Sequence, residues 1–413
     1  MPAGTPTGRN NTPSTAAADL AAALAQPHAL PPLAELCRAK RVTLFIGDKT
    51  RSTPRAAAGR ALLEQLRPAT AVQIFITTGS HAATAPEDRA VIDQLVAYAA
   101  TLGITASGHI HDCRHDPLLA CGTTPRGTAV ELNARALAAD VLVVHSDVKP
   151  HYFAGYSNAT KHLLPGISGY PGIEQNHALA LDPAAQFGHH PWHPQPSRRQ
   201  NPLAEDLLDA YQLAVGNRPV FVLATISDHD CVRWAAAGAA ATVMAEAFAE
   251  LDRSSLQQVV PCRHAVISCG GYPLDETLYT AHAGLEMVRA AIAPGGEVLL
   301  LAECADGVAP NESAIRHFYE PLCRPLAELT AGNPATYRLG AHKTVRLAQF
   351  LSRHTLFLTS ALPPETVRAI HCHPAPEPQA IVDRWLQQQA SILVINHANK
   401  LALLPASPPS GQH

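Results

Sequence analysis

Val42-Thr43-Leu44-Phe45-Ile46 is followed by Gly47-Asp48-Lys49-Thr50-Arg51-Ser52-Thr53-Pro54, by the helical run Arg55–Leu66, and then by Val72-Gln73-Ile74-Phe75-Ile76-Thr77. The first and last pieces are short aliphatic and aromatic runs without polar alternation, the pattern of strands buried on both faces. The run between them is rich in Ala, Leu and Arg, which suits a helix. A strand, a helix and a second strand in this order make a βαβ unit, whose two strands lie parallel in one sheet. The unit predicts an α/β protein and directs attention to the loops that leave the strands, because open α/β sheets bind ligands outside their carboxyl ends.

The same alternation recurs along the chain. Further strands are expected at Val141–Val144, Val220–Ala224, Ala265–Ser268, Val298–Ala302, Thr355–Leu358 and Ile392–Ile395. Helices are expected at Ala129–Ala139, Ala241–Leu251, Glu276–Ile292 and Pro378–Gln389. Thr84-Ala85-Pro86-Glu87 has the form of a capping box with Pro in the first helical turn. A length of 413 residues allows roughly two or three domains of ~150 residues. A change of composition near Arg253–Arg263 divides the chain into an α/β domain over 15–255 and a second over 256–404. Each is expected to have a mostly parallel sheet, with the active-site cleft between them. Residues 1–14 and 405–413 are polar and Pro-containing and are expected to be disordered. Residues 145–178 and the Pro/His-rich 183–202 resist assignment to regular structure, and loops of that length are commonly functional.

Composition excludes several classes. The formal net charge is -3 and the hydrophobic fraction 47%, so there is no basic field for a nucleic acid and no composition typical of disorder. No apolar run approaches the ~18 residues of a membrane span, and the start lacks the pattern of a signal peptide. Nine cysteines, none in a Cys-x-x-Cys pair, argue against a disulfide framework or a thiolate zinc site and for a reducing cytoplasm. The 22 histidines are in excess, and their placement has to decide whether they carry chemistry.

Four segments are candidates. Asp48 and Arg51 follow the first strand and could hold a hydroxyl and a carboxylate or phosphate; a helix cap with solvated charges is the plainer reading. His81, in Thr77-Thr78-Gly79-Ser80-His81, follows the second strand and offers an imidazole for acid–base work. Gly122-Thr123-Thr124-Pro125-Arg126-Gly127-Thr128 precedes an expected helix and could cradle an anion, or be an ordinary turn. The densest segment runs from Lys149-Pro150-His151-Tyr152-Phe153-Ala154-Gly155-Tyr156-Ser157 through Lys161 to Leu164-Pro165-Gly166 and Asn176-His177. Here a lysine could act as nucleophile or tether, and the histidines as base or metal ligand.

Taken together and in order, these segments resemble the lactate racemase family that uses a nickel-pincer nucleotide. The family pattern has an Asp-x-Thr-Arg loop, a Gly-x-His loop, a Gly-Thr-Thr loop and a Pro-His-x-x-Gly-x-Ser…Lys…Leu-Pro-Gly…Asn-His segment. Later stretches at Asp275–Tyr279, Ala302–Gly307 and Leu339–Lys343 are also similar. The resemblance implies a racemase or epimerase of 2-hydroxy acids, an isomerase. Its cofactor would be a nickel-bearing pyridinium-3-thioamide-5-thiocarboxylate mononucleotide, attached covalently at Lys161. His177 would complete the nickel coordination, and His81 and His151 would be acid and base. Asp48 and Arg51 would contact cofactor and substrate. Gly122, Thr123, Thr124 and Arg126 would hold the nucleotide phosphate. The implied partners are a small 2-hydroxy acid and the proteins that make the cofactor.

Physical chemistry accounts for that set. The C2 hydrogen of a 2-hydroxy acid is hard to remove as a proton beside an anionic carboxylate. Removal as hydride, while a base takes the hydroxyl proton, gives a neutral 2-keto group. Mirror-image substrates place their hydroxyls differently, so two bases are expected. Two positions depart from the family's lactate-active members, which carry a Gln and a Lys three apart where this chain has Thr280 and Ala283. A bulkier or polyhydroxylated acid is therefore expected in place of lactate. Thr280 and His282 stand beside Arg51 as the substrate-facing positions, a solvated helix histidine being the plainer reading of His282. Two other readings are a metal-dependent hydrolase or lyase and a non-catalytic cofactor-binding protein on the same scaffold.

Overall fold

A computed structural model describes residues 13–50, 54–228 and 231–406. The protein is α/β, with two domains, each built on its own sheet. The first sheet has six strands in the order Cys231–Ala239, Val220–Asp228, Val141–Asp147, Arg41–Gly47, Ala71–Thr77, Ala106–Ile110. All pairings are parallel except that of Cys231–Ala239 with Val220–Asp228 at one edge. The second sheet has five strands, all parallel, in the order His373–Pro374, Thr355–Thr359, Ile292–Leu301, Cys262–Ser268, Ile392–Ile395. A parallel pair, Leu256–Val259 with Ala402–Pro405, brings the end of the chain back to the junction of the two halves.

Side-chain alternation explains the layering. In Arg41–Gly47, Leu44 and Ile46 face a cluster containing Leu62, Leu63, Ile92 and Leu95 of the helices Arg55–Gln65 and Pro86–Thr101. Phe45, between them, faces the opposite cluster with Leu203, Leu207, Met244 and Phe248 of the helices Pro202–Val215 and Ala240–Ser255. Successive residues of a strand point to opposite faces, so a mainly apolar run without polar alternation is covered on both sides. The second cluster continues through Leu278, Leu285 and Leu347 to Leu403. The two domains therefore share one apolar core.

Three expectations need correction. Ala129–Ala139 is not a helix: Ala129–Asn133 is a strand paired antiparallel with Leu118–Thr123, and a short 3-10 turn Ala136–Ala138 follows. Val130 and Leu132 are buried while Glu131 is only half-buried, a period of two that outweighs the helix propensity of the Ala and Leu residues around it. The helix Pro86–Thr101 has Pro at its first turn as expected, but Ala85 precedes it with no side-chain cap, so Thr84 does not close a capping box. Within 145–178 the last residues are regular, forming the helix Tyr170–Ala178. Of the expected disordered ends, residues 1–12 and 407–413 lie outside the described residues, and a helix begins at Pro13. Among the described residues no helix is long and apolar enough to cross a membrane.

Candidate active site

The order of the first sheet reverses between Arg41–Gly47 and Val141–Asp147. From the first, the chain moves outward through Ala71–Thr77 to Ala106–Ile110; from the second, it moves the other way to Val220–Asp228. Loops leaving two such strands diverge and open a crevice at their carboxyl ends. A pocket of ≈ 300 Å³ lies there, lined by Gly47, Asp48, Thr50, Thr77–His81, His145–Asp147, His151, Ser157, Asn158, Lys161, His162, Pro165, Gly166 and His177. Asp48, His81, His151, Lys161 and His177, which come from three separate segments, thus meet in one pocket. Arg51 lies outside the described residues.

Local contacts fix each loop. Arg55 donates to the Gly47 carbonyl at 3.1 Å and pairs with the buried Asp88, which holds the end of the first strand. Thr78 Oγ1 donates to the His111 carbonyl, and Gly79, at φ +59, donates its N–H to the Gly166 carbonyl at 3.1 Å. That bond ties the His81 loop to the lysine segment. His81 Nδ1 donates to Asp48 Oδ2 at 2.5 Å, and Thr50 Oγ1 donates to Asp48 Oδ1 at 2.6 Å. Asp48 is buried, whereas the His81 side chain is 54% exposed. The carboxylate therefore orients the ring from the protein side, while Nε2 remains to exchange a proton.

His151 lies in a two-stranded turn, Pro150–His151 against Gly155–Tyr156, and its Nδ1 accepts from Ala154 N at 3.3 Å. Lys161 sits in the 3-10 turn Ala159–His162, capped by Asn158, whose side chain accepts from Thr160 N. Its Nζ is 5.8 Å from the centre of the Phe153 ring. His177, in the last turn of Tyr170–Ala178, donates from Nδ1 to the Ile173 carbonyl at 3.0 Å. That bond fixes the tautomer and leaves the Nε2 lone pair available, the arrangement common to metal-binding histidines. Burial, then the charge of Lys161, lowers its pKa to about 3, so the ring is neutral and competent as a ligand.

Two pocket histidines were given no role by the sequence. His145 follows directly on the aliphatic run at the carboxyl end of its strand, and His162 follows Lys161. His145 Nε2 is 3.1 Å from Thr225 Oγ1, which donates to Asp147 Oδ1; burial lowers its pKa to about 4. His162 Nδ1 is 3.0 Å from Thr77 Oγ1. Position at a strand's carboxyl end was the available signal for His145.

Other expected site residues lie elsewhere. Gly122 and Thr123 are exposed in the hairpin, Thr124 is buried with its hydroxyl on Asp206, and Arg126 pairs with Glu205; none lines the pocket. Thr280 completes a capping box with Thr277 at the start of the helix Leu278–Val288. His282 is not solvated: it is buried, neither ring nitrogen has a hydrogen-bond partner among the described residues, and burial holds its pKa well below the usual range. The second domain reaches the pocket's wall from behind. His342 takes hydrogen bonds with Tyr152 Oη at 3.1 Å and Tyr337 Oη at 2.7 Å. Two cavities of ≈ 390 and ≈ 410 Å³ lie between the domains and border Tyr152, the second also touching Asp147 and His151.

The remaining histidines are mostly structural. His109 and His115 bond Asp116 and Asp112, and His111 bonds the Ser168 carbonyl. In the Pro/His-rich stretch, His193 reaches Asp252, which also takes bonds from Tyr156 and Arg198. Buried His190 has its pKa lowered to about 3 by burial. Histidines held neutral in the fold become protonated in the unfolded chain below about pH 6.5. The unfolded state then binds more protons. The stabilisation from keeping His145 and His190 neutral is complete above that pH and is lost as pH falls toward 4. Each contributes a slope of up to about 1.4 kcal/mol per pH unit. Urea unfolding followed from about pH 7.5 to about pH 5 should show the midpoint dropping, and replacing His190 by Gln should flatten the decline.

Comparison with known proteins points to one family. Residues 6–188 match the lactate racemase N-terminal domain, and residues 257–400 match the lactate racemase C-terminal domain. The lactate racemase of Thermoanaerobacterium thermosaccharolyticum is 29% identical over 274 residues, 65% of this chain and 61% of that protein. The match thus spans less than two thirds of that relative. The lactate racemase of Lactiplantibacillus plantarum is 26% identical over 363 residues, 82% of this chain and 78% of that protein. The structure of the lactate racemase apoprotein from Thermoanaerobacterium thermosaccharolyticum superposes with a TM-score of 0.80 at 25% identity, covering 94% of this chain and 92% of that one. A crystal structure of a Thermotoga maritima protein, at 16% identity and a TM-score of 0.64, covers 96% of this chain and 99% of its own and shares the fold.

Proposed function

The chain belongs to the lactate racemase family, and from that premise we propose that it racemises or epimerises a 2-hydroxy acid at C2, with a nickel-pincer nucleotide held by Lys161 and His177. The observation that carries this reading is the convergence of Asp48, His81, His151, Lys161 and His177 on one pocket at the switch point of the first sheet. The donor set suits the group. His177 offers one neutral imidazole nitrogen, Lys161 offers an amine on the same pocket, and among the described residues no cysteine lines it, which fits a group that brings its own sulfur ligands.

When bound, the cofactor supplies the hydride acceptor. The side chains supply the proton chemistry. His81, oriented by Asp48, takes the hydroxyl proton of one enantiomer or returns it; His151 does so for the other. Asp48 contributes by holding His81 in one tautomer and one orientation during the transfer. Arg51, by its charge, is assigned to the substrate carboxylate. Thr280 and Ala283, in place of the Gln and Lys of lactate-active relatives, point to an acid bulkier or more hydroxylated than lactate. The reading places the protein in the cytoplasm, loaded by the proteins that make the cofactor. A hydrolytic metal site has less support: among the described residues no group of three or more His, Cys, Asp or Glu is placed to hold an ion, whereas catalytic zinc takes three protein ligands.

The test is co-expression with the cofactor pathway. Intact-mass analysis should show an adduct localised to Lys161, and chiral chromatography of a panel of 2-hydroxy acids should show inversion of at least one. An unmodified Lys161 under full cofactor supply overturns the proposal, and an adduct without inversion of any acid makes the protein a carrier. In the active enzyme, Asp48→Asn should lower kcat by ~10²-fold, the scale of an impaired acid–base group. Steady-state kinetics on the inverted acid would show it, and an unchanged kcat would remove Asp48 from the proton chemistry.

A further inference from the structure

We infer that Asp206 is a positioning residue for the metal ligand His177, and that the Gly122–Thr128 turn is part of this support. This inference rests on the proposed function for its meaning. Its structural half stands apart from it. Asp206, in the helix Pro202–Val215, is fully buried, yet its carboxylate is satisfied by neutral donors. It accepts from Thr124 Oγ1, from Thr128 Oγ1 at 2.7 Å and from Asn176 Nδ2 at 2.8 Å. The three donors come from two segments far apart in sequence. Asn176 is the neighbour of His177 on the helix Tyr170–Ala178.

Other contacts point the same way. Gln175 Oε1 accepts from Ala129 N at 2.8 Å, and Gly169 N donates to the Glu131 carbonyl at 2.9 Å. A Cβ at Gly172 would lie 2.5 Å from the Ala129 carbonyl oxygen, so helix and hairpin touch backbone to backbone. The hairpin is thus a cradle for the His177 helix, and Asp206 closes it. A buried carboxylate held by hydroxyls and an amide is costly to form and specific in geometry, which suits a residue that has to hold a ligand nitrogen to within a fraction of an ångström.

Asp206→Asn keeps the shape but leaves one acceptor oxygen for three donors, so its NH2 faces either Thr124 Oγ1 or the Thr128 and Asn176 donors. In hydrogen-exchange mass spectrometry of the protein without cofactor, amides of 170–178 should exchange at least ~10-fold faster than in the parent. Glu297→Gln, which disturbs a distant bond to Trp385 Nε1, should leave them unchanged. In protein loaded with cofactor, the Lys161 adduct should form while nickel per adduct falls by ~10-fold or more, the scale for losing a ligand's support. Thr128→Val removes a single donor and is read the same way if Asp206→Asn does not fold. Unchanged exchange over 170–178, or equal acceleration across every core amide, would overturn the inference. A parent protein without adduct refutes the proposed function and leaves the exchange result to decide this one.

Discussion

Lys161→Ala protein, expressed with the cofactor pathway, is expected to carry no adduct and to lose at least ~10³-fold of its racemase activity. The fold should persist. Lys161 is only half-buried, on the pocket wall, and the turn that carries it is held by main-chain bonds the substitution spares: Lys161 N to the Asn158 carbonyl at 3.2 Å and Gly166 N to the Lys161 carbonyl at 2.9 Å. The substitution removes a cation–π interaction with the Phe153 ring, worth ~1 kcal/mol. Lys161→Arg should fail alike, because a guanidinium stays protonated and cannot act as an amine nucleophile. Intact mass and thermal melting, measured together, separate loss of the tether from loss of the fold. Activity within about ten-fold of the parent would refute a covalent role for Lys161.

The largest stability effect is expected at Gly155. Its φ is +77, and a Cβ there would lie 2.0 Å from the His189 carbonyl oxygen. Ala would thus meet both a strained backbone and a backbone atom that cannot step aside. The two penalties act together, so Gly155→Ala should cost more than about 3 kcal/mol. Asn201 Nδ2 ties the Phe153, Gln186 and His189 carbonyls together, so the strain would reach the His151 segment as well. Urea unfolding measures the loss; a midpoint within error of the parent would show that the close approach does not exist in solution.

Much of the frame was legible because it is apolar at most positions, without polar alternation. Val42–Ile46, Val72–Thr77 and Val141–Val144 are strands covered on both faces, and such runs need no partner to be recognised. Cys231–Ala239 is the counterexample. Its Ala-rich sequence marks no element, yet it pairs as an antiparallel edge strand, with Gly238 at φ +139 where a Cβ would meet the His28 carbonyl oxygen at 2.1 Å. Tertiary pairing decides there, and so it does for Ala129–Asn133.

The pocket followed the same rule. Asp48, His81 and His151 were legible because they stand within four residues of a strand's carboxyl end, and the sheet order brings their loops together. Thr124 and Thr128 read locally as anion ligands because their partner, Asp206, lies about eighty residues on, beyond any local motif. His282 reads as an exposed helix position because its cover, the Tyr152 and Phe318 rings at 5.9 and 6.3 Å, is supplied by distant segments.

The switch-point pocket draws every lining side chain from between Gly47 and His177, and none from the second domain. Inheritance can therefore treat the two halves differently. Replacements after residue 256 can accumulate without altering any side chain that lines the pocket. Thr280 and Ala283 stand in the half with that freedom, since neither lines the pocket.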